Sequence, residues 1–316
     1  MSIENYKDML SVITNKIHNS EFNYKNSVIV GDNSSGKSEI LKLLVRLSLD
    51  EYYFIDAVNR NFDSSKIPDK MDTKSSKYQD ITKLRLEDNI FNWSDSFNVF
   101  GDSTGYIEVI FMDYMDELKV LLKKFLDIEI SIEEINYGGF SMEKKLSINN
   151  NLEKISNGYQ AIIRLFLELI YVNQYKNNIT IVIDEIDEYL SPKNKSKIIS
   201  FIQKEFPDFK WIFTTHSADV IASIENFNLI ILKGNNYECL DSNDFSTITD
   251  VQEIFRNLYY TGFTDNSNTS TTLRRLLSFK ISDKWSEKED EDLVKIDESK
   301  LTNSQRLILR QIKKWW

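Results

Sequence analysis

A chain of 316 residues that is 41% hydrophobic and 28% charged, with 9 Gly and 3 Pro, can bury a sizeable core and is not of disordered composition. Its formal charge of −10 gives no general pull toward nucleic acid or an anionic membrane, so such a contact needs a local basic patch. Cys239 is the single cysteine, which excludes an internal disulfide and a cysteine-based zinc site and fits a reducing cytosol.

The polar N-terminus, residues 1–15, has no signal-peptide pattern, and no stretch of about 18 apolar residues predicts a membrane span. Residues 4–18 predict a short helix with Tyr6, Leu10, Ile13 and Ile17 on one side. A compact apolar strand follows at Ser27-Val28-Ile29-Val30. Next come Gly31-Asp32-Asn33-Ser34-Ser35-Gly36-Lys37-Ser38 and a helix through Leu41, Leu44, Val45 and Leu47.

Strand, glycine-bounded loop and helix are the context a phosphate-binding loop requires. Gly31 and Gly36 let backbone N–H groups of the loop, including Asn33, Ser34 and Ser35, approach phosphate oxygens. Lys37 supplies positive charge to the β- and γ-phosphates, and the Ser38 hydroxyl is a Mg²⁺ ligand. The helix that follows presents its positive end to the anion.

Residues 52–58 predict another strand, and 59–105 a polar insertion over the core. Residues 106–112 predict a strand, and 114–126 a helix with Leu118, Leu121, Leu122 and Phe125 inward. Two strands are expected at 128–135 and 144–150, then a long apolar helix at 157–175. Ile179-Thr180-Ile181-Val182-Ile183 has the pattern of a strand buried on both faces. It ends in Asp184-Glu185, where ligands of open α/β sheets collect. Asp184 is read as a Mg²⁺ ligand, directly or through water, and Glu185 as the residue that orients or deprotonates the attacking water. A helix at 193–205, a strand at 210–214, a helix at 218–225 and a strand at 228–233 complete an alternating α/β pattern.

Residues 241–316 differ. A polar stretch at 262–272 and an acidic run at 287–298, read as a solvated linker, precede a basic amphipathic helix. That helix carries Ile308, Ile312 and Trp315 among Arg306, Arg310, Lys313 and Lys314, and ends at Trp316. It docks either on the chain's own core or on a partner protein or nucleic acid.

Ile155-Ser156-Asn157-Gly158-Tyr159-Gln160 resembles the ABC signature, roughly Leu-Ser-x-Gly-x-Gln. Phe213-Thr214-Thr215-His216-Ser217 resembles the switch-histidine region. Residues 184–192 resemble the Asp-Glu-x-x-x-x-Leu-His-Pro pattern of SMC-like and OLD-type ATPases and of the ATPases of Septu-type and retron-linked defence systems. The likeness covers about residues 20–235, with the motifs in family order. Ile155 replaces the usual Leu, Ser191 stands where many relatives have His, and Ser34 and Ser35 stand where the family often has Gly.

The resemblance implies an α/β fold: an ABC-type ATPase head (P-loop NTPase) with a mixed sheet core, at 1–240. It carries a helical insertion subdomain at 59–150, and a mainly helical C-terminal tail follows at 241–316. It implies ATP and Mg²⁺ as cofactors and a head-to-tail homodimer. There Ser156, Gly158 and Gln160 complete the partner's ATP site, and His216 contacts the γ-phosphate and the attacking water; for His216 the plain alternative is a packed structural histidine. Gln79, the sole Gln between Ser38 and Ser156, is the candidate Q-loop glutamine and metal contact, or else a solvated loop residue. Phe22 or Tyr24 either stacks on adenine or packs in the core. Arg60 either reaches phosphate or makes a surface salt bridge.

The chain has 2 histidines and a short tail, so neither an HNH nor a Toprim nuclease is expected within it, and no heptads predict long coiled-coil arms. The expected role is ATP-gated control of a separately encoded effector, a nuclease or toxin, in antiphage defence. A low-turnover ATP-bound scaffold and a DNA-repair or DNA-end-sensing head are the alternatives. Nucleic acid is an open partner; a membrane is not expected.

Overall fold

Alternating apolar runs and amphipathic helices fold into a mixed α/β structure in the computed structural model. The residues described are 3–58, 60–67, 77–87, 107–136, 142–152, 155–175, 178–244, 268–281, 285–298, 301 and 303–314. Six strands build a mostly parallel sheet. By contacts the chain divides into Met1–Ile40 with Thr214–Trp316, and Leu41–Phe213.

In the first unit, α1 (Ile3–His18) precedes β1 (Asn26–Gly31), which pairs in parallel with β7 (Phe227–Lys233). β7 pairs antiparallel with β8 (Asn236–Asp241), a strand the apolar pattern does not predict. Its exposed and half-buried first half carries Asn236, Tyr237 and Glu238, so the strand is made by the Gly234 turn (φ 56°) and by pairing, not by apolar periodicity. Cys239 lies buried there, and burial pushes its thiol up to about 12, away from reactivity.

C-terminal residues add α8 (Asn268–Ile281), α9 (Glu287–Val294) and α10 (Asn303–Lys314). Leu273, Leu276 and Leu277 of α8 are buried, as are Leu309 and Ile312 of α10, and α10 packs on α8. The described part of α10 therefore docks on its own chain; Trp315 and Trp316 lie outside the described residues. The acidic run is not a solvated linker. Ser286 and Glu289 form a capping box, and Arg275 of α8 binds both Glu289 (3.1 Å) and Asp292, which neutralises the run enough to fold.

In the second unit, β2 (Tyr52–Ile55), β5 (Thr180–Ile183) and β6 (Lys210–Thr214) lie side by side and parallel, β5 central and wholly buried. β2 stops at Ile55 rather than 58. α3 (Tyr78–Arg85) falls within the stretch expected to be a polar cover, yet Tyr78, Ile81, Thr82 and Arg85 are buried and the helix packs on β2. Residues 106–112 were expected to form a strand. Instead Ile107–Ile110 is a 3₁₀ turn: Ile107, Ile110 and Phe111 are buried at helical spacing, and Glu108 accepts from the Asp63 N–H at 2.6 Å. α4 (Met115–Leu126) buries Leu118, Leu121, Leu122 and Phe125, as expected from its periodicity. β3 (Ile130–Asn136) and β4 (Met142–Ile148) form an antiparallel pair. α5 (Asn157–Asn173), α6 (Pro192–Glu205) and, in the first unit, α7 (Ala218–Ile221) complete the set. No helix among the described residues is long and apolar enough to cross a membrane.

Candidate nucleotide site

β1 is buried along its length and delivers the chain at Gly31 into a tight loop. The Ser35 N–H donates to the Asp32 carbonyl at 3.1 Å, Ser34 has φ 63° and Gly36 φ 98°. α2 (Lys37–Leu47) then starts, with the Ile40 N–H on the Gly36 carbonyl at 2.9 Å. Glycine is required at 36 twice over. Its φ disfavours an L side chain, and a Cβ there would lie 2.4 Å from the Tyr6 hydroxyl and 2.9 Å from Leu10 Cδ2 of α1. Burial, then the nearby Glu39 carboxylate, raises the Tyr6 phenol above its ordinary range. At Gly31 a Cβ would meet Ser35 Oγ at 2.4 Å. In the sequence Tyr6 reads only as part of an apolar helix face.

Lys37 is buried, and its Nζ donates to the carbonyls of Gly31 (2.9 Å) and Asp32 (3.0 Å) inside the loop. Asp32, Asn33 and Ser34 are exposed at the rim, and Ser38 stands on the first turn of α2. Ser35 Oγ is buried with no hydrogen-bond partner. A helix N-terminus, an ammonium group and a buried hydroxyl in search of a partner suit a polyphosphate.

The same unit holds Thr214-Thr215-His216-Ser217. The Thr215 N–H donates to the Ile29 carbonyl of β1 at 3.4 Å, and the Ser217 N–H donates to Thr215 Oγ1 at 3.0 Å. Thr214 and Thr215 are buried while His216 is exposed, which corrects the alternative of a packed structural histidine. Tyr24 is tied up structurally: its hydroxyl donates to Asp241 at 2.9 Å and its N–H to the Asn228 side chain at 3.0 Å. Phe22 is half-buried, with the Lys16 ammonium 6.0 Å from its ring centre.

In the second unit, β5 ends at Ile183, and Asp184 follows it, buried, with its N–H donating to the Ile55 carbonyl at 2.9 Å. Glu185 follows with φ 51° and Tyr189 with φ 60°. Non-glycine residues in the left-handed region cost energy and recur at functional sites. Ser191 caps α6, accepting from the Asn194 N–H at 3.4 Å, with Pro192 in the first turn. A serine here does the capping work that a histidine does poorly.

Ser156 caps α5 in the same way. Its Oγ accepts from the Tyr159 N–H at 3.3 Å, and the residue is exposed. A Cβ on Gly158 would lie 3.0 Å from the Tyr189 carbonyl, so the signature turn and the loop after Asp184 touch. Gln160 donates to the Ile155 carbonyl (2.8 Å) and accepts from the Phe62 N–H (3.4 Å). Gln79 lies on the first turn of α3, not in a loop, and donates to Asp50 at 3.2 Å.

The same unit buries an ionic cluster that the motifs do not predict. Arg85 grips Glu168 by two nitrogens (2.9 and 3.1 Å), Arg164 adds a third contact (3.1 Å) and the Tyr53 hydroxyl a fourth (2.8 Å). Burial raises the Glu168 carboxyl, but Arg85 and Arg164 outweigh it and hold the group below its usual range. Arg60 is buried too and donates to the Asp184 carbonyl at 2.9 Å, which corrects the expected surface salt bridge. Burial lowers its pKa, opposed by Asp56 and Glu168. The available signal was a pair of charges, Arg164 and Glu168, four apart inside an otherwise apolar helix.

No protein-family model matches the chain. It is 30% identical over 177 residues to Septu protein PtuA of Bacillus mycoides (strain KBAB4), a match covering 46% of this chain and 24% of that protein. It is 29% identical over 98 residues to the Retron Ec83 probable ATPase of Escherichia coli, covering 28% of this chain and 18% of that protein. Among solved structures, the SMC head domain from Thermotoga maritima is 16% identical, with 68% of this chain and 89% of that chain covered at a TM-score of 0.37. The matches span a quarter or less of the length of these two curated relatives.

Proposed function

We propose that the chain binds Mg-ATP and hydrolyses it, and that nucleotide-driven pairing of two copies controls a separately encoded effector. The observation that carries the nucleotide reading is the loop at Gly31 to Ser38, with buried Lys37 and the unpartnered Ser35 hydroxyl. Loop N–H groups and Lys37 hold the β- and γ-phosphates. Ser38 and Asp184 hold Mg²⁺ by oxygen, the donor type that ion prefers. When bound, Mg²⁺ neutralises charge on the phosphate oxygens. Glu185 takes the proton of the attacking water, and His216 steadies the γ-phosphate. The exposed cap Ser156, with Gly158 and the Gln160-braced start of α5, contacts the phosphate held by the other copy. The likeness to Septu protein PtuA and to a retron ATPase supports a role in antiphage defence.

Glu185→Gln tests the hydrolytic part. Steady-state phosphate release should fall by about 10²–10⁴-fold, the usual contribution of a general base, with ATP affinity preserved. Normal turnover in that variant would remove Glu185 from the role. Ser156→Arg tests the pairing. Light scattering in the Glu185→Gln background with ATP should report a dimer, and the added Ser156→Arg should return it to monomer with ATP binding per chain intact. A dimer that survives the arginine would refute the shared site.

A further inference from the structure

Arg60 has no place in the chemistry above, yet the surrounding geometry is specific. The backbone of Asp184 is held from both sides. Its N–H donates to the Ile55 carbonyl (2.9 Å), and its carbonyl accepts from Arg60 Nη2 (2.9 Å). The peptide thus fixed leads into Glu185, which sits at φ 51°. A left-handed glutamate persists only where neighbours over-determine it.

The segment carrying Arg60 is itself clamped to α5. Gln160 accepts from the Phe62 N–H (3.4 Å), and Arg164 Nη1 donates to the Asn61 carbonyl (3.3 Å). Gln160, Arg164 and Glu168 stand four apart, on one face of the helix that begins at the signature cap Ser156. Behind Arg60 lie the acids Asp56 and Glu168 and the cations Arg85 and Arg164, all buried. Around Arg60 the Asp184 carbonyl offers a hydrogen bond and the acids Asp56 and Glu168 offer counter-charge, against the repulsion of Arg85 and Arg164; a full-length planar cation reaches both, whereas a lysine supplies one donor without the fork.

We infer that Arg60 is a positioning residue. Held by α5 through residues 61–62, it fixes the Asp184–Glu185 peptide and so aims the Glu185 carboxylate. It does not touch the nucleotide. The inference rests on the proposed ATPase reading, and the test separates the two.

Arg60→Met and Arg60→Lys are compared with wild type for ATP affinity by titration, for kcat and KM by phosphate release, and for melting temperature. A positioning role predicts kcat about 10–100-fold lower in Arg60→Met, the scale of loss for a misplaced reacting group, with Kd for ATP within about twofold. Arg60→Lys should restore part of kcat, because one donor still reaches the Asp184 carbonyl. A folded Arg60→Met with wild-type kcat overturns the inference, as does a parallel loss of ATP affinity. Should Arg60→Met not fold, Arg60→Lys decides alone: kcat equal to wild type overturns the inference, and a drop at unchanged Kd supports it. Absence of turnover in wild type itself would overturn the hydrolytic reading and the Arg60 role with it. Normal wild-type turnover with unaffected variants would overturn the Arg60 role only.

Discussion

Lys37→Ala should abolish measurable ATP binding. An ammonium that bridges two phosphates makes two charge-assisted hydrogen bonds, each about 1.5–3 kcal/mol, so the loss is roughly 3–6 kcal/mol or about 10²–10⁴-fold in Kd. The fold should survive. The Gly31 and Asp32 carbonyls lose a donor at 2.9 and 3.0 Å, but they stand in a loop with an exposed rim where water can replace it. Titration calorimetry with a thermal melt as the control separates the two effects. An affinity within tenfold of wild type would sink the assignment of this loop to phosphate.

Glu168→Ala should strongly destabilise the second unit. The carboxylate is fully buried and answers Arg85 and Arg164 together, with the Tyr53 hydroxyl as a further donor. A buried ion pair is weak evidence of net stability against an apolar replacement of the whole group. Removing one member is a different matter, because the arginines stay behind without their counter-charge. That costs about 3–5 kcal/mol, a fall in melting temperature on the order of 10 °C for a chain of this class. The nearest remaining acid, Asp56, is 3.9 Å from Arg85 Nε, too far for a hydrogen bond to replace the grip. Glu168→Gln should cost less, since the amide keeps an acceptor for Tyr53. A melt within about 2 °C of wild type for Glu168→Ala would show that the cluster adds little to stability.

The elements that sequence makes legible are those whose cause is local. Residues 157–173 are apolar on nearly every face and start at a capping serine, so the helix and its boundary are readable without a partner. The strand Thr180–Ile183 is readable because a fully buried strand needs apolar residues throughout. Elements whose cause is distant are not. β8 exists through its pairing with β7, and the turn at Ile107–Ile110 through burial against neighbours that no local pattern names. The acidic run after Ser286 folds as a helix because Arg275, on another helix, answers its charge.

The same division holds at the candidate site. By itself the sequence determined the glycines, lysine and serines of the loop at 31–38 and the acid pair at 184–185. Phosphate chemistry demands those residue types at those spacings, and the backbone freedom involved is a property of single residues. Tertiary structure alone decided that Tyr6 and Leu10 lie against Gly36, that His216 is exposed beside buried threonines, and that Arg60 is buried on the Asp184 carbonyl. Burial of an arginine depends on counter-charges, here Asp56 just after β2 and Glu168 on α5, and the chain spacing between those groups carries no record of their distance in space.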